Sequence, residues 1–284
     1  MLDSTQLNNY RENGYCVIEN FKTLQQCQQL QTRAGKIVEE FSADDISVFS
    51  TSEQQRNADD YFLSSGDKIR CFFEQEAIGD SGEIKVEKSR AINKLGHAMH
   101  QQDAVFRQFS TDSKLEQICQ QLGFVDPRLL QSMYIFKQPR IGGEVNIHQD
   151  STFLYTEPMS CVGFWFALED ATLENGCLWG MPGGHKTPLE KIMKRRDNDI
   201  GIEFTQLADN HYSESDFVPL QVSAGSLIFF DGRFPHFSHA NRSAKTRHAY
   251  TLHVIEGSAE YPRSNWLQRE DQQSFPSFEQ LRAM

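Results

Sequence analysis

The stretch Val145-Asn146-Ile147-His148-Gln149-Asp150-Ser151-Thr152-Phe153 places an imidazole and a carboxylate two residues apart in a run with strand character. Alternate residues of a strand share a face, so His148 and Asp150 converge while Gln149 turns away. Two histidines and one carboxylate on one face of an octahedral ion, with the remaining positions open, mark non-haem Fe(II) oxygenases. His148 and Asp150 supply half of that set. A lone His-x-Asp string is short enough to arise by chance and to be structural, so the reading depends on a second histidine elsewhere.

A second segment offers one: Ser226-Leu227-Ile228-Phe229-Phe230-Asp231-Gly232-Arg233-Phe234-Pro235-His236-Phe237-Ser238, followed by Asn241, Ser243 and Arg247. The polar run Ala240 to Lys245 between apolar runs reads as a hairpin connection. A turn centred near Arg242 and Ser243 predicts Arg247 opposite Ser238, on the same side as His236. A metal ligand, a hydroxyl and a guanidinium would then line one pocket. A dicarboxylate that chelates the metal at one end needs such a pocket, because a planar, permanently charged fork suits its far carboxylate.

Further blocks extend over nearly the whole chain: Tyr10-Arg11-Glu12-Asn13-Gly14-Tyr15, Asn93-Lys94-Leu95-Gly96-His97-Ala98, the continuation Phe153-Leu154-Tyr155-Thr156-Glu157-Pro158, Glu174-Asn175-Gly176-Cys177-Leu178-Trp179 and Arg247-His248-Ala249-Tyr250-Thr251. With these blocks the chain resembles the phytanoyl-CoA dioxygenase family. The resemblance implies that His148, Asp150 and His236 bind Fe(II) and that Arg247 with Ser238 grips the distal carboxylate of 2-oxoglutarate. It also implies that Lys94, Met133 and Trp165 line the 2-oxoglutarate pocket. From their own surroundings these three read as structural: a solvated lysine at a helix end, a gap-filling methionine and a packing tryptophan. Dioxygen is the implied second co-substrate and ascorbate a candidate reductant. Retention of Asp150 favours hydroxylation over halogenation, since related halogenases lose that carboxylate to make room for halide. The chain departs from the family at Met181-Pro182-Gly183-Gly184-His185, where Gly184 replaces a serine.

The other histidines read as bystanders, with one left open. His239 falls on the face opposite His236, His248 lies outside the pocket-lining alternation, and His253 is either core or a wall of the site.

Amphipathic spacing predicts helices at Ser4 to Asn13, Leu24 to Phe41, Ala91 to His100 and Asp112 to Leu122. Short apolar runs bounded by turns predict strands at Met133 to Phe136, Val162 to Leu168, Leu178 to Met181, Ser226 to Phe230 and Tyr250 to Ile255. This pattern suits a mainly β fold with flanking helices and a cupin-like jelly-roll core, and the resemblance implies the double-stranded β-helix. One domain is expected over residues 1–284, with a helical part to about 125 and the β core from about 126 to 260.

A net charge of −11 excludes a broad nucleic-acid surface, which needs a basic footprint, and no apolar run is long enough for a bilayer. The cations Lys186, Lys191, Lys194, Arg195 and Arg196 form a local exception in an expected loop or short helix. They read as a solvated face or, more sharply, as a grip for a phosphate or carboxylate of an acyl or other small-molecule substrate. Six scattered cysteines without CxxC spacing read as free thiols in a reducing compartment. With no export pattern at Met1-Leu2-Asp3-Ser4 and no peroxisomal address in Leu281-Arg282-Ala283-Met284, the cytoplasm is the expected location. Two other functions fit parts of the pattern: a non-catalytic sensor of iron and 2-oxoglutarate, and a zinc hydrolase. The hydrolase has no use for Arg247 and Ser238.

Overall fold

The computed structural model describes residues 2–42, 47–48, 60–196, 201–270 and 274–284. Asp3 caps α1 (Ser4–Asn13) by accepting from the Gln6 amide while the Gln6 side chain accepts from the Asp3 amide. Thr23 and Gln26 repeat this reciprocal cap at α2 (Leu24–Glu40), so each helix start has two of its free amides satisfied. Between them Gly14, at φ 82°, ends α1 and hands the chain to β1 (Tyr15–Ile18); glycine carries that left-handed conformation without penalty.

The next elements are α3 (Asp60–Leu63), β2 (Ile69–Phe73), α4 (Lys88–Ala91), β3 (Ile92–His97), α5 (Met99–Gln102), α6 (Ala104–Ser110) and α7 (Ser113–Gln121). The helix expected across Ala91 to His100 is therefore corrected: most of that stretch is β3, held between β2 and a later strand. Ile92, Leu95 and Met99 have helical spacing, but all three are buried by the sheet and its neighbours, and sheet pairing overrides a weak local preference. The helix at Asp112 to Leu122 is present as α7, with the Asp112 carboxylate capping the Lys114 amide.

The β region comprises β4 (Pro127–Ile135), β5 (Val145–His148), β6 (Val162–Ala167), β7 (Leu178–Gly180), β8 (Lys191–Arg195), β9 (Ile202–Gln206), β10 (Val218–Leu220), β11 (Leu227–Asp231), β12 (His236–Ser238) and β13 (Ala249–Glu256), followed by α8 (Phe278–Arg282). A seven-stranded sheet has the order β1-β11-β6-β13-β4-β3-β2, and a four-stranded sheet the order β10-β7-β12-β5. They form the jelly-roll core as two open sheets rather than a closed barrel. The period-2 alternation sorts the large sheet's side chains. Phe164, Phe166, Phe229, Tyr134, Tyr250 and Leu252 pack outward with the helices' Leu30, Ala34, Phe106 and Leu115, while Trp165, Ile228 and Phe230 join Leu178, Leu220 and Phe234 in a second cluster.

Two local expectations change. The stretch Ala240 to Lys245 does turn, with Asn241 Oδ1 accepting from the Ser243 amide at 3.0 Å, but it makes no hairpin. β12 pairs with β5 and β7 in the small sheet, whereas β13 pairs with β4 and β6 in the large one. The turn carries the chain from one sheet to the other, so Arg247 does not stand in register with Ser238. The basic segment is neither loop nor helix at its centre: β8 and β9 form a two-stranded ribbon. Arg195 donates to the Trp266 and Leu63 carbonyls at 2.9 and 2.5 Å, Arg196 donates to the Ile202 carbonyl at 3.0 Å, and Lys186 pairs with Glu12. Lys191 Nζ lies 5.3 Å from the Phe204 ring centroid, so at least four of the five cations have partners within the fold.

All six cysteines are unpaired and buried. Burial pushes the Cys16 and Cys177 thiols up to about 11 and Cys71 to about 12, and the thiolate is the reactive form. A thiol reagent at pH 8 is therefore expected to find no rapidly reacting cysteine in the folded protein and six after denaturation. A fast native thiol would contradict the buried placement.

Candidate metal centre

β5 ends at His148, and Asp150 opens the short 3-10 turn Asp150–Thr152 rather than continuing the strand. The two side chains still converge. Gln149 turns away as expected, donating to the Arg233 carbonyl at 2.8 Å and accepting from the Glu190 amide at 2.9 Å. His236 stands directly opposite His148 in the β12–β5 pairing, with ring centroids 4.2 Å apart. Asp150 Oδ1 lies 3.6 Å from His148 Nε2 and 3.8 Å from His236 Nε2. One ligand atom from each of the three residues falls within 4.8 Å of the others, a spacing one metal ion can bridge.

The tautomers suit a cation. His148 Nδ1 donates to the Asn146 carbonyl at 2.8 Å and His236 Nδ1 to the Phe234 carbonyl at 2.9 Å. Both Nε2 atoms are then left with lone pairs on the metal side, the arrangement that second-shell carbonyls impose on ligating histidines. Burial pushes His236 down to about 4, which keeps it neutral and able to ligate. Burial alone would raise the Asp150 carboxyl, but His253, His236 and His148 outweigh it and hold the group well below the usual carboxylate range. Gly163 makes room for the carboxylate: a Cβ there would come within 2.9 Å of Asp150 Oδ2 and 2.7 Å of the Phe230 ring.

His253, left open between core and wall by the sequence, is a direct partner of the triad. Its Nε2 lies 3.0 Å from Asp150 Oδ2, so that oxygen is pinned and Oδ1 is presented to the two histidines. Replacing His253 with leucine is expected to weaken Fe(II) affinity about 10- to 100-fold, the usual cost of removing a partner of a metal ligand. Unchanged affinity by competitive metal titration would remove His253 from this role. The parity of Arg247, Thr251 and His253 along one strand face was the available signal.

These groups open onto a cavity of about 410 Å³. Lys94, Met133, Trp165 and Arg247 line it together with His148, Asp150 and His236. Lys94 is buried on β3, its Nζ 3.8 Å from Met133 Sδ, not solvated at a helix end. Arg247 is fully buried, its guanidinium 5.3 Å from the Trp165 ring centroid and its Nε donating to the Gly176 carbonyl at 3.1 Å. Its Nη1 is buried without a hydrogen-bond partner, and burial lowers the group to about 10. Ser238 is engaged elsewhere, accepting from Lys137 Nζ at 2.9 Å. A cavity-lining hydroxyl that is buried without a partner belongs to Thr251. Lys137, which sequence reasoning missed, lines the same cavity, and burial followed by the neighbouring Arg247 pushes it well below the usual lysine range. It continues the Met133, Ile135 parity of β4.

His239, His248 and His185 stand outside the cavity lining. His239 Nε2 pairs with Glu214, His248 Nδ1 meets Tyr134 Oη at 2.8 Å, and His185 Nε2 donates to the Arg11 carbonyl at 3.1 Å. At Gly184 a Cβ would approach Pro235 Cδ to 2.7 Å, so glycine fits the close approach of that turn.

The sequence profile of the family described as phytanoyl-CoA dioxygenase (PhyH) matches residues 10–249. The chain is 45% identical over 269 residues to a phytanoyl-CoA dioxygenase of Arabidopsis thaliana, covering 94% of each chain. It is 42% identical over 287 residues to phytanoyl-CoA dioxygenase domain-containing protein 1 of Mus musculus, covering 97% of this chain and 98% of the mouse protein. Among solved structures, EctD from S. alaskensis with 2-oxoglutarate and 5-hydroxyectoine superimposes with a TM-score of 0.64 at 19% identity, over 97% of this chain and 85% of EctD. The epimerase SnoN in complex with Fe3+, alpha ketoglutarate and nogalamycin RO gives 0.63 at 14% identity, over 96% and 97% of the two chains. At those identities the structures speak for the fold, while the profile and the relatives establish kinship. The chain belongs to the phytanoyl-CoA dioxygenase family.

Proposed function

We propose that this protein is an Fe(II)- and 2-oxoglutarate-dependent hydroxylase acting on a small-molecule or acyl substrate, with residues 1–284 working as one domain. One observation carries the reading: a facial set of two imidazole nitrogens and a carboxylate oxygen shares one cavity with a buried arginine whose Nη1 has no partner. Iron bound with the two co-substrates supplies the oxidising chemistry, so that R–H, 2-oxoglutarate and O2 give R–OH, succinate and CO2.

His148, Asp150 and His236 would hold the iron, leaving open positions for the co-substrates. Arg247 would receive the far carboxylate, and Lys94 and Lys137 would add hydrogen-bond donors along that part of the cavity. Trp165 beneath the guanidinium keeps it from swinging and keeps bulk water off the charge pair, where an ion pair is worth more than in water. Met133 packs beside Lys94. Thr251 has a free hydroxyl for the same ligand, and Ser238 would act through Lys137. His253 fixes the orientation of the iron's carboxylate ligand.

The cavity also continues past this polar end to Phe62, Phe153, Met193, Phe204 and Trp266. That space favours an enzyme over a sensor, which needs no substrate chamber, and the arginine-lined end favours it over a zinc hydrolase. Supplying Fe(II), ascorbate and labelled 2-oxoglutarate is expected to release succinate, and a true substrate to stimulate it. Iron-independent turnover, or no 2-oxoglutarate binding at all, would reject the assignment.

A further inference from the structure

Near the apolar end of the cavity stands a histidine whose protonation pattern can be read from its neighbours. His97 is buried and lines the cavity among the rings of Phe62, Phe72 and Trp266, with centroids 5.7, 5.3 and 5.0 Å away. Its Nδ1 lies 2.7 Å from Ser65 Oγ, and Ser65 Oγ lies 2.5 Å from the Phe62 carbonyl oxygen. A hydroxyl has a single proton and a carbonyl can only accept, so the Ser65 proton goes to Phe62. His97 Nδ1 must then be the N–H that donates to Ser65. Burial, followed by the nearby Lys94, pushes His97 well below the usual histidine range and keeps it neutral.

The other ring nitrogen therefore carries a lone pair. Nε2 of His97 is buried with no hydrogen-bond partner. A buried acceptor left unpaired is costly, a cost that a donor brought by a ligand would remove. His253 repeats the pattern in the same cavity: Nε2 is spent on Asp150, and Nδ1 is buried without a partner. Two histidines of the cavity wall thus each carry a ring nitrogen without a partner.

We infer that the prime substrate carries a hydroxyl or N–H donor on an apolar frame and presents it to Nε2 of His97. A substrate whose chamber-filling part is a bare hydrocarbon chain, or which meets His97 with a carboxylate, leaves this acceptor unpaired or repelled. The inference rests on the hydroxylase reading for the meaning of "substrate", but not for the binding preference itself.

The test uses the Fe(II)- and 2-oxoglutarate-loaded protein without oxygen and compares three alcohols, 2-phenylethanol, cyclohexanol and 1-decanol, each with its methyl ether, by calorimetric titration. One recovered hydrogen bond of about 1 kcal/mol corresponds to a preference of about 5-fold for the alcohol. At least one pair is expected to show it, and His97→Phe, which keeps a ring among rings, is expected to abolish it. Equal binding of every pair, failure of all three alcohols to bind, or a preference that survives in His97→Phe overturns the inference. Nitrogen-15 NMR of the wild-type protein tests the tautomer without any variant: Nδ1 protonated and Nε2 bare is expected, and the reverse overturns the inference outright. The visible absorption of the iron–2-oxoglutarate complex, recorded on the same samples, reports separately on the hydroxylase reading. Its absence fails that reading and leaves the alcohol preference to be judged alone.

Discussion

Asp150→Ala is expected to abolish both Fe(II) binding and 2-oxoglutarate turnover in a protein that still folds. Asp150 is the one anionic donor of the set, and its Oδ1 is the atom that both imidazoles approach, at 3.6 and 3.8 Å. Without it two neutral nitrogens remain, and His253 loses its partner. Removing a mere supporting group costs about 10- to 100-fold in metal affinity, so loss of the ligand itself exceeds that range. His236→Ala should behave alike, because His236 faces His148 across the β12–β5 pairing. Metal titration and succinate release read the two effects independently. Wild-type affinity in Asp150→Ala would remove the carboxylate from the site.

Arg247→Ala is expected to spare iron binding and weaken 2-oxoglutarate by about 30-fold or more. Breaking a buried, hydrogen-bonded charge pair costs about 2–5 kcal/mol, and each 1.4 kcal/mol is tenfold. Arg247→Lys should recover little, because the planar fork over Trp165 is replaced by a compact ammonium. A cycle with the ligand isolates the contact. The wild-type protein should prefer 2-oxoglutarate strongly over 2-oxobutyrate, which lacks the far carboxylate, and Arg247→Ala should bind the two about equally. A preference that persists in the variant would assign the far carboxylate to Lys94 or Lys137 instead.

Part of this site was legible from residue chemistry and spacing, although Asp150 lies in a turn beyond the strand, and Lys94, Met133 and Trp165 were implied only by the family resemblance. His148 and Asp150, and then His236, could be paired from spacing and residue chemistry, and the cavity collects Lys94, Met133, Trp165 and Arg247 around them. Amphipathic spacing likewise found the helices α1 and α2. What local sequence does not carry is which sheet a strand joins. Asn241 and Ser243 form the turn their chemistry calls for, yet the turn crosses between sheets, so a register derived by counting residues failed although Arg247 still lines the cavity. At Ile92, Leu95 and Met99 the apolar spacing fits a helix, while the decisive partners, β2 and β4, lie far away in the sequence. Lys137 was missed and His253 left open for a related reason. Strand parity could place each on the cavity side, but its role shows only in a contact over a long sequence separation, Lys137 with Ser238 and His253 with Asp150.

The most direct measurement is an anaerobic titration of the protein with Fe(II) and then 2-oxoglutarate, followed by visible absorption. A charge-transfer band that grows to one equivalent, disappears in Asp150→Ala and needs a much higher 2-oxoglutarate concentration in Arg247→Ala is the expected result. Full binding of both by the wild-type protein without any such band would contradict chelation of 2-oxoglutarate by an iron held at His148, Asp150 and His236.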